Sequence, residues 1–180
     1  MLKRELGFKF VEEYCWTKNA FPTGVHGRFK NGFEPVYHFT KGEVRNITFN
    51  PLACGTPVGL ETKLRAFRKN CKTPTNGSGM VVDRENFKTL EFARPSNVIN
   101  VNNVTNQFTS KMEHSAVFPE KLVEFFIKSF SNENDIILDM FAGSGTVGVI
   151  CEYLNRNYIL IDKENSNIEL IERRLTIGKQ

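Results

Sequence analysis

The stretch Ile136-Ile137-Leu138-Asp139-Met140-Phe141-Ala142-Gly143-Ser144-Gly145-Thr146 constrains the fold more than any other part of the chain. Ile136 to Leu138 are aliphatic and follow the polar run Ser131-Asn132-Glu133-Asn134-Asp135, which suits a buried strand of a parallel sheet. Gly143 and Gly145 permit a tight turn and close approach of a ligand to the backbone. From Thr146, the apolar residues Val147, Val149, Ile150 and Leu154 cover one face of a helix whose free N-terminal amides point back at the turn. Tyr158-Ile159-Leu160-Ile161 then reads as a second buried strand, ending in Asp162. The succession predicts an α/β fold with a ligand cradle between the first strand and its helix.

Charge decides which ligand suits that cradle. Gly143-Ser144-Gly145-Thr146-Val147-Gly148 fits G-x-G-x-x-G, and Asp162 follows at a spacing that suits a ribose-binding acid. A pyrophosphate held by the helix amides is repelled by a carboxylate at the mouth of the same turn, and Asp139 stands there. S-adenosylmethionine carries no phosphate; its sulfonium and ammonium groups are cationic. The carboxylate favours S-adenosylmethionine over NAD. Asp162 is then either a hydrogen-bond acceptor for the ribose hydroxyls or a surface acid at a strand end.

Asp139-Met140-Phe141-Ala142-Gly143-Ser144-Gly145-Thr146 resembles the D-P-F-x-G-S-G-T motif of the DNA amino-methyltransferases, which methylate adenine N6 or cytosine N4. Met140 stands where the family usually has proline. The resemblance implies a Rossmann-like methyltransferase fold with S-adenosylmethionine as cofactor. It assigns cofactor contacts to Asp139, Phe141, Ala142, Gly143, Ser144, Gly145, Thr146 and Asp162. His114-Ser115-Ala116-Val117-Phe118-Pro119 resembles the family's H-p-a-x-F-P stretch, a loop that lies over the methionine end of the cofactor in relatives.

Around this unit, Phe8 to Trp16 and Val36 to Phe39 read as strands separated by a loop. Trp16-Thr17-Lys18 and the segment from Asn31 to Lys41 resemble stretches that form an antiparallel edge pair in the same family. Trp16 and Phe39 are equally well explained as core aromatics. His26 and His38 read as loop and core residues, since no third ligand has metal-site spacing. Pro119 can occupy a first helical turn, with Leu122, Phe125, Phe126 and Phe130 lining one face. Ser166-Asn167-Ile168-Glu169 reads as a capping box for a last helix, with Ile168, Ile171 and Leu175 buried.

Charge is unevenly placed. Residues 1–75 hold 13 Lys and Arg against 6 Asp and Glu, a net +7, while residues 76–180 hold 11 against 14, a net −3. The basic half suits a polyanion. Arg65, Arg68, Lys69 and Lys72 cluster within it and are read as phosphate contacts, the other explanation being a solvated helix face followed by a loop. The resemblance places a target-recognition region that contacts double-stranded DNA within residues 42–110, between the edge strands of 1–41 and the cofactor-binding part of 111–180. Cys15, Cys54, Cys71 and Cys151 form no C-x-x-C pair and read as reduced, packing thiols. The start of the chain lacks the apolar stretch of a secretory signal, so a cytoplasmic location is expected.

One family element is missing. Methylating an exocyclic amine requires a flipped base, held by a polar side chain and stacked on an aromatic ring. The family grips it with [D/N/S]-P-P-[Y/F/W], and the 7 prolines here are never adjacent. The motif order implies that the strands bearing it precede this sequence, so an incomplete fold lacking central strands is expected. The chain then resembles the C-terminal portion of a site-specific methyltransferase, to be joined by a companion polypeptide carrying the catalytic half. The rival reading is an inactive accessory chain that binds cofactor or DNA.

Overall fold

The computed structural model describes residues 6–18, 26, 27, 29, 31–59, 91–102 and 118–177. Among these, β1 (Lys9–Thr17) and β2 (Glu34–Thr40) pair antiparallel, with Lys9 opposite Thr40, Trp16 opposite Glu34 and a register shift between Phe10 and Glu12. Short strands β3 (Thr56–Pro57) and β4 (Phe92–Ala93) pair with each other, and β5 (Val98–Asn100) runs parallel to β1. Then come α1 (Glu120–Phe130), β6 (Ile136–Asp139), α2 (Thr146–Tyr153), β7 (Asn157–Leu160) and α3 (Asn165–Ile177). β6 and β7 form a parallel pair joined through α2. None of the described helices is long and apolar enough to cross a membrane.

The edge pair is where the sequence places it, and it gains a third strand, β5, from Val98–Asn100. Alternation along β1 turns Tyr14 and Trp16 to one face, and both are buried. β5 lies against that end of β1, and the indole Nε1 of Trp16 donates to the Val101 carbonyl at 2.8 Å. A buried indole N–H is thereby satisfied by a residue far along the chain.

α1 ties the two sheets together. Leu122 joins Tyr14, Trp16 and Ile99 in one core cluster, while Ile127 joins Ile150, Cys151 and Leu154 in another. Phe126 and Phe130 meet the Tyr14 ring edge-on at 5.3 and 6.2 Å, the aromatic face expected from their spacing. Burial pushes the Cys151 thiol up to about 11, which makes it an inert packing group. Pro119 lies one residue earlier than expected: it precedes α1 in extended conformation, and its carbonyl accepts from the Leu122 N–H at 2.9 Å. At the other end, Asn50 Nδ2 donates to the Lys128 carbonyl at 3.2 Å, and Asn50 Nδ2 and Arg156 Nη2 each donate to the carbonyl of Ser131, just past α1, at 3.0 Å.

Two further expectations are corrected. Ser166 lies inside α3, whose first free amides at Asn167 and Ile168 bond to the Glu164 carbonyl instead. The Asp162 carboxylate, accepting from the Glu164 N–H, organises that entry in place of a Ser166 box. β6 and β7 are buried on one face only. Ile137 and Tyr158 pack with α2, whereas Ile136 is 67% and Leu138 55% exposed, and Ile159 and Ile161 are also open. Among the described residues nothing covers that second face, and β2 and β6 each lack a partner on one edge.

Candidate functional site

The site forms where β6 ends. The Asp139 carboxylate folds back to accept from the Phe141 N–H at 3.0 Å, holding the chain in the turn that follows. The Phe141 ring is thrown outward and is 87% exposed, while Ala142 next to it is buried. The Ala142 N–H donates to the Ile161 carbonyl at 2.9 Å, so the turn stays stitched to the end of β7.

Both glycines of the turn have positive φ, +51° at Gly143 and +77° at Gly145. Gly145 is required for a second reason: a Cβ there would lie 2.8 Å from Ile171 Cγ1 of α3. Gly148 lets α2 settle on the sheet, since a Cβ there would lie 2.6 Å from Leu160 Cδ1. The glycine pattern thus serves turn geometry at its first two positions and close helix–strand packing at its third. Ser144 and Thr146 are buried, with their hydroxyls 3.3 Å apart.

Asp162 is placed beside the turn, as the sequence suggests, with its carboxylate already engaged. Oδ2 accepts from the Gly143 N–H at 2.8 Å, and Oδ1 accepts from the Glu164 N–H at 3.0 Å and from Asn167 Nδ2 at 2.9 Å. Donation from the Glu164 and Gly143 amides holds its pKa below the usual carboxylate range. With three bonds made and roughly four lone-pair sites in a carboxylate, Asp162 is first a clip between turn and α3 and has little remaining capacity for two ribose hydroxyls.

Asp139, Phe141, Ala142, Gly143, Ser144 and Thr146 line one open cleft of about 490 Å³, whose opposite walls are Leu122 and Phe126 of α1 and Val36 of β2. Gly145 and Asp162 are not part of that lining, though Asp162 accepts from the Gly143 N–H. Phe118, from the stretch expected over the cofactor, also faces the cleft, while His114 to Val117 fall outside the described residues. Arg65, Arg68, Lys69 and Lys72 fall outside them as well. His38 is partly buried rather than in the core: its ring lies 4.6 Å from Phe130, its Nδ1 is buried without a partner, and burial lowers its pKa. The sequence reading overlooked Arg174, whose guanidinium reaches the Ser144 carbonyl at 2.6 Å. Only its spacing of three from Ile171 hinted that it faces the turn.

A strand ending in an acid, a glycine turn and a helix, set against a helical layer bridging to an antiparallel edge pair, define an α/β methyltransferase fold. Solved methyltransferases share it. The M1.HpyAVI–SAM complex matches with a TM-score of 0.60 at 25% identity, over 96% of this chain and 65% of that one. The cytosine-N4-specific PvuII DNA methyltransferase matches with a TM-score of 0.62 at 18% identity, over 97% of this chain and 60% of that one.

The chain belongs to the N6/N4 DNA methylase family, whose model matches residues 1–173. It is 45% identical to the type II methyltransferase M.HinfI of Haemophilus influenzae over 175 residues, 97% of this chain and 41% of that protein. It is 29% identical to the orphan methyltransferase M.BamHII of Bacillus amyloliquefaciens over 178 residues, 96% of this chain and 64% of that protein. The chain therefore spans about two fifths to two thirds of the length of these relatives.

Proposed function

We propose that this chain supplies the S-adenosylmethionine-binding part of a DNA methyltransferase that modifies adenine N6 or cytosine N4 in double-stranded DNA. The observation that carries the reading is the Asp139 carboxylate at the mouth of an apolar cleft rimmed by the glycine turn. The cleft fits the cofactor: its apolar walls accept an adenine ring, and its carboxylate favours a cation over a phosphate. When bound, S-adenosylmethionine provides an electrophilic methyl group. Asp139 orients the cationic end, the exposed Phe141 ring offers a face to the base, and the backbone at Gly143, which lines the cleft without a side chain, approaches closely. Asp162 secures the turn from behind. These residues bind and orient; catalysis by position is what such a site contributes.

The open edges of β2 and β6, with the uncovered face of Ile136, Leu138, Ile159 and Ile161, support a companion polypeptide that completes the sheet and covers it. Val36, Phe126, Ile127 and Ile137 line the apolar gap between the two edges. The companion would carry the base-gripping residues that this sequence lacks. Arg65, Arg68, Lys69 and Lys72 are assigned to DNA phosphates on their clustered charge alone. The second reading, an accessory chain that binds cofactor or DNA without turnover, is favoured by the absence of an adjacent proline pair.

Calorimetry tests the cofactor. Titration with S-adenosylmethionine and S-adenosylhomocysteine should release or absorb heat, NAD should not, and Asp139→Asn should weaken S-adenosylmethionine more than S-adenosylhomocysteine because only the former is a sulfonium cation. Binding of NAD alone would overturn the reading.

A further inference from the structure

α3 presses two side chains against the glycine turn. Ile171 and Arg174, three residues apart and so on one helix face, meet it at adjacent points. Ile171 fills the space that a Gly145 side chain would need. Arg174 Nη1 donates to the Ser144 carbonyl at 2.6 Å, and its Nη2 lies 3.3 Å from Glu120 Oε1 at the start of α1. The Arg174 side chain is 18% exposed and Glu120 56%, so the contact to the turn is the sheltered one.

The Ser144–Gly145 peptide is consequently held at both ends. Its carbonyl takes the Arg174 hydrogen bond, and its N–H donates to the Ala142 carbonyl at 2.7 Å. A peptide followed by a glycine is easily rotated, because glycine tolerates either sign of φ. Rotation here would turn the Ser144 carbonyl away from α3 and withdraw the Gly145 N–H from Ala142. A planar guanidinium with several donors can hold the carbonyl and Glu120 together; a lysine ammonium is a point charge on a flexible stem and lacks that fork.

We propose that Arg174 is a positioning residue of this site: it fixes the Ser144–Gly145 peptide plane and links the turn to the start of α1 through Glu120. The inference rests on the reading of the turn as the cofactor site, and it concerns a residue that is not part of the cleft lining.

The test is amide hydrogen exchange by NMR on the full chain, with calorimetry of S-adenosylmethionine on the same samples. In Arg174→Met, exchange at the Gly145 amide should accelerate about tenfold or more, the scale of a hydrogen bond to a charged group. The Ile161 amide, bonded to the Asp139 carbonyl at 2.8 Å, serves as the control and should not change. Cofactor affinity should fall by a similar factor, with Arg174→Lys intermediate in both readouts. Unchanged exchange at Gly145 in the folded variant would overturn the proposal whatever the affinity does. Accelerated exchange with undiminished affinity would also overturn it, since the turn would then be loosened without consequence for the site. If the unmodified chain binds no cofactor while Gly145 still responds selectively, the proposed function fails and the role of Arg174 in fixing the turn stands. Should Arg174→Met loosen Gly145 and Ile161 equally, Arg174→Lys decides: selective acceleration at Gly145 supports the proposal, and none overturns it.

Discussion

The β6–β7 half and the β1–β2–β5 half of the molecule are built on different length scales. In the first, the strand, turn, helix and second strand follow one another directly, and contacts closing the turn come from residues at most 30 positions away, the Arg174 to Ser144 bond being the longest. In the second, the buried Trp16 packs with Ile99 and Leu122, and its indole N–H is accepted by Val101, 85 residues on. The first half is closed by local contacts; the second is assembled by long-range closure. α1 joins the two through its apolar face, and among the described residues the edges of β2 and β6 between them have no partner. The difference teaches that a turn can be closed entirely by nearby residues while the strands beside it depend on partners far along the chain.

The most forceful way to break this comparison is to supply what the gap between β2 and β6 would accept. Residues 1–180 alone should give no methyl transfer to DNA above background. Co-expression with an upstream fragment carrying the proline-pair motif should give turnover, read as tritiated methyl incorporation. Turnover by the purified chain alone, free of host methyltransferase, would mean that the base grip lies within these residues, with the 26–27 loop or Asn50-Pro51-Leu52 to be tested next.

A smaller effect sharpens the local half. Gly145→Ala places a Cβ against Ile171 at a positive φ, and should cost about 1–3 kcal/mol of stability, read by denaturant titration. Adding Ile171→Ala should relieve the steric part and leave the backbone part, so the double variant should fall short of the sum of the two single losses. Strict additivity would show that the two residues are not in contact.

Asp162 provides a pH test of the same region. Its folded-state pKa is held down by amides of Glu164 and Gly143. The stability it adds is therefore present above the unfolded-state value, about 3.9, and is lost as pH falls through the lower folded-state value. Asp162→Asn should remove that part of the acid dependence. An unaltered acid limb would assign it to other carboxylates.

The smallest expected effect concerns the basic interval. If Arg65, Arg68, Lys69 and Lys72 meet phosphates, replacing two of them should reduce the slope of log affinity against log salt by roughly 0.9 per lost contact. An unchanged slope with affinity intact would make them a solvated face.

What the sequence determined by itself follows from local periodicity. The aliphatic run ending in Asp139, the glycines at 143 and 145 and the apolar spacing beyond Thr146 specify a strand, a turn and a helix, because each depends on neighbours within a turn or two of chain. The aromatic face of α1 was legible for the same reason. The tertiary structure alone decided three things. Asp162 proved to be a clip on Gly143, because a strand-end carboxylate takes the nearest free amides and no one-dimensional pattern reveals which these are. Val98–Asn100 became a strand because β1 offered an open edge to an interval with no periodicity of its own. Arg174 came to bond the turn because folding brought α3 against the Ser144 carbonyl, and a buried backbone group recruits whatever donor the packing brings within reach.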